Sequence, residues 1–159
     1  MADNAATQKR AAANLVVGMG DAYSVKNLTA TFTCTAALAS GSTITFGRIP
    51  SNARILGASK IYTDDLATSG SPTLDLGLYA VNGNITSDDD CIQAGIAIST
   101  ATDAAALGDF VNIGLPAWDL VNGQTSDPGG EFIVRGVVRD AATTATTGDV
   151  TLDLYYVVD

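Results

Sequence analysis

The chain of 159 residues contains no histidine, only two cysteines, four prolines, one tryptophan and a single glutamate. Without imidazole there is no Ser-His-Asp or Cys-His nucleophile system, no histidine metal site and no side chain that ordinarily titrates near neutral pH. Cys34 and Cys91 are too few for a disulfide framework. A domain of this length buries roughly 70% of its unfolded surface without one, so both are read as reduced thiols of a protein made in a cytoplasm. No run of eighteen apolar residues is available to cross a bilayer, and the opening Met-Ala-Asp-Asn lacks the basic and apolar regions of a secretory signal. No membrane partner is expected. Positive charge is scarce too: 8 Lys and Arg stand against 17 acids, a net charge of −9, and the five arginines are scattered. Such a chain repels a phosphate backbone, which argues against nucleic acid as a partner.

What is present is aspartate, threonine, alanine and glycine. Sixteen of the 17 acids are aspartates. Asp, Thr and Gly favour strands, caps and turns, while the helix formers Glu and Lys are almost missing. From Asn27 onward the apolar residues recur with period two, the signature of half-buried strands. Leu28, Ala30, Phe32, Cys34, Ala36 and Leu38 share one face, with threonines on the other. Residues 42–49 follow, with Ile44 and Phe46 in phase, then a turn at Pro50-Ser51-Asn52. Residues 53–62 are apolar in both phases and predict one strand covered on both sides. Residues 64–71 read as a polar loop. Over 73–81, Leu74, Leu76, Leu78 and Ala80 point inward, and Thr73, Asp75, Gly77 and Tyr79 outward.

A turn at Asn82-Gly83-Asn84 and the run Asp88-Asp89-Asp90 form the next connection. Residues 91–99 then bury Ile92, Ala94, Ile96 and Ile98, which places Cys34 in the core and Cys91 on the wetter side. Residues 100–130 lack a strand period; 102–107 suit a helical turn capped by Thr102 or Asp103, and Trp118 lies in an irregular stretch. Residues 131–139 and 149–158 are the last strands. Paired as a hairpin with Arg139 opposite Asp149, they bring Arg135 opposite Asp153 and Val137 opposite Thr151. Each charge pair then contributes roughly 0.2–1 kcal/mol.

Seven or eight short strands and no long helix predict an all-β domain over residues 26–159: an antiparallel two-sheet sandwich, jelly-roll or Greek-key-like. Residues 1–25 form an N-terminal arm outside that pattern. Its alanine-rich stretch 5–17 is compatible with a short helix, an arm laid on a neighbour or a frayed terminus, and Lys9-Arg10 make it a candidate contact element in an acidic chain.

Little in this pattern carries chemistry. Asp88-Asp89-Asp90 and Asp64-Asp65 offer oxygens to calcium, yet no D-x-D-x-D-G loop with a distal glutamate accompanies them, and they read as solvated acids. Glycoside hydrolysis needs a selected carboxylate pair, and nothing here selects one. No catalytic residue, metal or cofactor is assigned, and the expectation is a protein that is not an enzyme. Gly18-Met19-Gly20 is too short for a phosphate loop and reads as a hinge. Tyr79, Ile133, Val137, Tyr155 and Val157 occupy the phase opposite the core faces, with Asp75, Arg135 and Asp153 among them. Two readings stand: a mixed patch for subunit contact, or a face covered by residues 100–130 of the same chain.

The succession Phe46-Gly47-Arg48-Ile49-Pro50-Ser51-Asn52-Ala53-Arg54-Ile55, then Thr73-Leu74-Asp75-Leu76-Gly77-Leu78-Tyr79, then Asp88-Asp89-Asp90 leading into a strand, resembles small virion proteins of tailed bacteriophages. The resemblance spans residues 27–158. It implies a capsid decoration (cement) protein on the outer surface of the virion, often a homotrimer, with the major capsid protein as partner. A neck, tail or fibre-base component is the alternative within virions. A carbohydrate-binding or adhesin module, with Trp118 as its platform, is the alternative of another class.

Overall fold

The computed structural model describes residues 3–5, 7–8, 24–35, 38–81, 87–107, 114–140 and 144–158. Two short strands, Asp3–Ala5 (β1) and Thr7–Gln8 (β2), precede Lys26–Cys34 (β3), Thr43–Pro50 (β4), Ala53–Ile55 (β5) and Lys60–Thr63 (β6). Then come Ala67–Ser69 (β7), Thr73–Ala80 (β8), Asp88–Ala97 (β9) and Thr102–Ala106 (β10). A four-residue helix, Ala117–Leu120 (α1), leads to Glu131–Val138 (β11), Thr144–Ala145 (β12) and Gly148–Val158 (β13).

The first sheet has the order β1-β4-β11-β8-β9 and the second β10-β6-β13-β3-β2, with β5 also on β13; β7 and β12 form a small ribbon. The antiparallel pairs β3–β13, β4–β11, β6–β10 and β8–β9 disclose the logic. The chain is one long hairpin, doubled back between β8 and β9, whose successive rungs alternate between the two sheets. That is a jelly roll, the all-β two-sheet sandwich expected from the period-two pattern.

The strands hold because their inward phases meet. Ile44, Phe46 and Ile49, Leu74, Leu76 and Leu78, and Phe132, Val134 and Val138 line the first sheet; Ala30, Cys34, Ile61, Val150, Leu152 and Leu154 line the second, each at most 2% exposed. Complete burial of a large aliphatic or aromatic side chain contributes about 1.5–3 kcal/mol, so this layer dominates the stability of the sandwich.

Several expectations are corrected. β11 and β13 do not pair: β11 lies between β4 and β8 in the first sheet, and β13 between β3 and β5/β6 in the second. Arg139 is therefore not opposite Asp149, nor Arg135 opposite Asp153. Asp153 sits opposite Thr29 and Lys60, and the Asp149 amide donates to the Asp64 carboxylate at 2.8 Å. The reason is geometric: consecutive rungs of a rolled hairpin fall in opposite sheets, so both strands present apolar faces to one core without touching edges.

The single strand expected over 53–62 is broken at residues 56–59, where four residues face two on β13. The Ser59 hydroxyl fills the gap, accepting the Tyr155 amide at 2.9 Å and donating to its carbonyl at 3.2 Å. Residues 102–106 are a strand at the edge of the second sheet rather than a helical turn, because Leu107 and that edge are drawn in by β6. The polar loop 64–71 contains β7, and the acidic run begins β9 instead of preceding it. Register shifts in the β8–β9 ladder also turn Ala94 outward, to an exposed position. Residues 3–5 and 7–8 are strands, not helix, pairing with β4 and β3 of their own chain. Lys9 and Arg10 lie outside the described residues.

Candidate functional site

The outward phase of the first sheet gathers most of the residues singled out by pattern. On β8 it displays Asp75, Gly77 and Tyr79; on β11, Ile133, Arg135 and Val137. Ile133 stands directly between Tyr79 and Arg48, Arg135 opposite Gly77, and Val137 opposite Asp75. Tyr79 and Ile133 are half-buried, and Val81, just beyond β8, is 38% exposed. Tyr155 and Val157 point outward from the second sheet instead, opposite Asn27 and Arg54. The mixed patch expected from phase alone is thus two patches on opposite sides of the sandwich. Val137 departs in another way: at 6% exposure it is enclosed beside the buried Asp75 and offers little surface to a partner.

Between these residues runs a network of charges. The Asp75 carboxylate is 7% exposed in its residue, and it accepts the Gly95 amide at 2.7 Å and the Arg139 Nε at 2.5 Å. Arg139 also donates to Asp89 at 3.1 Å, and Asp89 accepts the Tyr79 hydroxyl. The Arg135 guanidinium lies 4.2 Å above the Tyr79 ring centroid, within cation–π range. Arg48 and Glu131 close the rim at 3.5 Å, both more than half exposed. Burial and then the neighbouring Asp89 carboxylate push the Tyr79 phenol above its ordinary value, although Arg135 and Arg139 pull it down.

The network explains how an irregular edge strand stays in place. β9 is bulged twice against β8, so backbone pairing alone holds it poorly. Its start passes over Gly77: a Cβ there would lie 1.9 Å from the Asp88 carbonyl oxygen and 2.4 Å from the Asp89 carbonyl carbon. Glycine is required by that approach, and Gly95, at φ +66°, supplies the left-handed turn that returns the strand to register. The acids then fasten β9 to its surroundings. Asp89 reaches Tyr79 and Arg139, while Asp88 accepts the Asn122 amide at 2.9 Å and the Asp90 amide at 3.3 Å. Burial opposes ionisation of Asp88, but these amides hold its carboxyl below the usual range; hydrogen bonding to Asp88 raises Asp90. Burial pushes the adjacent Cys91 thiol up to about 12.

Oxygens committed in this way are poor metal ligands, and among the described residues no group of three or more Asp, Glu or Cys is arranged to hold a metal ion. Trp118 of α1 is half-buried and packs against the core, with its amide on the Ser51 carbonyl at 3.0 Å, rather than standing out as a sugar platform. Among the described residues no helix is long and apolar enough to cross a membrane.

Asp75 and Asp89 are paired with Arg139, Glu131 with Arg48, and Arg135 stacks on Tyr79, while Asp90 adds a further negative charge within reach of Asp75 and Arg139, in a chain whose net charge is −9. The surface of this face between the ion pairs is partly apolar, with Tyr79 and Ile133 half-buried and Val81 exposed. Sequence reasoning missed Arg48, Val81 and Asp89 as members of this face. The mid-strand glycine in Leu76-Gly77-Leu78 was the available signal, since glycine inside a strand marks close approach by another backbone.

The class of molecule so defined is a jelly-roll sandwich with one ion-paired, aromatic-bearing outer face. Two solved structures share the fold. A chain in the cyanophage Pam1 capsid asymmetric unit is 24% identical, with a TM-score of 0.55, covering 96% of this chain and 95% of that one. A chain in the capsid of Ralstonia phage GP4 is 20% identical, with a TM-score of 0.59, covering 86% and 84%. No family model and no curated protein matches the chain.

Proposed function

We propose that this chain is a non-enzymatic structural protein of a tailed-phage virion, and within that class a capsid decoration (cement) protein. It sits on the outer shell, associates with copies of itself as a trimer and braces neighbouring copies of the major capsid protein. The observation that carries this reading is likeness of fold over 96% of the chain to a chain within a phage capsid asymmetric unit. The Tyr79 face agrees with it, because Arg48, Arg135 and Arg139 offset much of its acidic charge and so lessen like-charge repulsion in a chain of net charge −9. The internal use of Asp75, Asp88 and Asp89 agrees too, since these carboxylates fasten strands to one another.

Adding purified protein to capsids of its own virus that lack it tests the reading. Saturable co-sedimentation is expected, with a higher temperature of capsid rupture, and Tyr79→Ala with Ile133→Asp weakens binding at least tenfold while the variant stays folded. Failure of the intact protein to bind such capsids, together with its recovery in the neck or tail fraction, overturns the decoration role.

A further inference from the structure

The connection from α1 to β11 carries a sequence feature that the charge network does not use. Asn122 is followed by glycine, and the two form the tip of a turn that the Gln124 amide closes on the Val121 carbonyl at 3.1 Å. Val121 is anchored at 1% exposure, whereas Asn122 and Gly123 are both exposed. Gly123 stands at φ +84°, and a Cβ on it would meet nothing within 4 Å, so the tip projects into solvent. Among the described residues the Gly123 amide has no acceptor and the Asn122 side chain has no partner.

These are the conditions under which an asparagine reacts with its own backbone. Attack by the following amide nitrogen on the side-chain carbonyl carbon is hindered by a Cβ on the following residue and by a hydrogen bond that occupies the nitrogen. Glycine with an uncommitted amide removes both obstacles. Asn27 and Asn52 precede Leu28 and Ala53 and keep the first of them. Asn82-Gly83 shares the dipeptide and lies outside the described residues.

The position matters because of what the other side of Asn122 holds. Its own amide donates to Asp88 Oδ2 at 2.9 Å, which ties the start of β9 to this connection, and Asp88 also accepts the Asp90 amide at 3.3 Å. A carboxylate created at residue 122 stands close to that acceptor, and like charges so placed oppose each other. In the isoaspartyl form the main chain is also lengthened by a methylene, which disturbs the turn that presents the amide.

We propose that Asn122-Gly123 is a site of spontaneous deamidation and that its conversion loosens the start of β9. The Gly123 nitrogen, its proton taken by hydroxide, bonds to Asn122 Cγ as the Cγ–Nδ2 bond breaks, and the leaving nitrogen takes a proton from water and departs as ammonia. The product is a succinimide. Water then adds to either ring carbonyl and the ring C–N bond at that carbon opens: attack at Cγ gives aspartate, attack at the main-chain carbonyl gives isoaspartate. The net change consumes water, releases ammonia and needs no oxidant. The inference concerns the isolated chain and is independent of the virion role.

The test incubates the native chain beside the same chain held unfolded in guanidinium, at physiological temperature in mildly alkaline buffer. Peptide mass spectrometry that separates isoaspartate from aspartate follows the two Asn-Gly positions individually. Conversion of Asn122 in the native chain is expected within about tenfold of the unfolded rate, since no opening of the fold has to precede it; slower conversion overturns the site. Converted chains, more acidic than the original, are then isolated by anion exchange. Their amides at residues 88–91 should exchange about tenfold faster, the shift expected from weakening a hydrogen bond to a carboxylate, with β3 and β13 unchanged. Equal exchange in converted and unconverted chains overturns the effect on β9. Asn122→Gln, incubated identically, should keep its original exchange at 88–91; loosening to the same extent in that variant overturns the assignment to residue 122.

Discussion

Replacing Asp75 with alanine probes the charge network at its most buried point. The substitution removes an acceptor shared by the Gly95 amide at 2.7 Å and Arg139 Nε at 2.5 Å. A hydrogen bond to an ionised partner contributes about 1.5–3 kcal/mol when well shielded. The Arg139 side chain is 45% exposed, however, so water screens the ion pair and about 1 kcal/mol is the fitting value for it. The Gly95 residue is exposed and its amide regains water, which leaves about 1 kcal/mol for that bond. The sum is about 2 kcal/mol, or a fall in Tm of about 4–8 °C for a domain of this size. Urea unfolding of Asp75→Ala, Arg139→Ala and the double variant at pH 7 isolates the pair, with an expected coupling of about 1 kcal/mol. Asp75→Asn retains an acceptor for Gly95 and should lose only the ionic share. If Asp75→Ala costs under about 0.5 kcal/mol, or the two changes add without coupling, the network does not fasten β9 as described.

Gly77→Ala should be worse, at about 3 kcal/mol, since the new methyl meets the Asp88 carbonyl and β9 has to lift; rapid amide exchange confined to residues 88–95 is the accompanying signature. Ser59→Ala, at a fully buried position, takes the acceptor from the Tyr155 amide in the strand break, while the Tyr155 carbonyl keeps the Leu56 amide at 2.8 Å, and should cost about 1–2 kcal/mol by thermal melting; an effect near zero shows that the gap closes without the hydroxyl. Alkaline pH should also destabilise the fold. The Cys91 thiol is held protonated up to about 12 in the native state, against 9.0 ordinarily, so the unfolded chain loses its proton first. Stability is then constant below pH 9 and falls through the window from 9 to about 12, by about 1.4 kcal/mol per pH unit. Tyr79 and Tyr156, both raised by burial, add to the slope above about pH 10. Cys91→Ala should move the onset upward to that second value, whatever it costs at neutral pH, and an unmoved onset contradicts the assignment.

How far the sequence disclosed this structure depends on what is asked of it. Period two told faces: Leu74, Leu76 and Leu78 alternate with Asp75, Gly77 and Tyr79, and the former are fully buried while the latter line the outer side. It did not tell neighbours. Phe132, Val134, Leu152 and Leu154 all point into one core, and nothing in their spacing distinguishes hairpin partners from strands of opposing sheets, which is why the pattern alone sets Arg135 opposite Asp153 when the two lie in different sheets. Alanine misled for a related reason. Thr102–Ala106 has helical composition, yet the open edge of β6 offers it hydrogen bonds that a five-residue helix does not provide for itself. The acidic run was legible as a feature and not as a device, because the partners of Asp88 and Asp89 come from Asn122, Tyr79 and Arg139, which only the rolled topology brings together.

The central claim is that this jelly roll is a component of the capsid shell, and reconstruction by cryo-electron microscopy of the mature particle of the virus that encodes it addresses that claim directly. The predicted result is density on the outer capsid surface that accommodates the sandwich in symmetry-related copies, with the Tyr79 face turned toward a neighbouring protein. Particles whose shell carries no such density, or in which it occurs only at the neck or tail, would contradict the account.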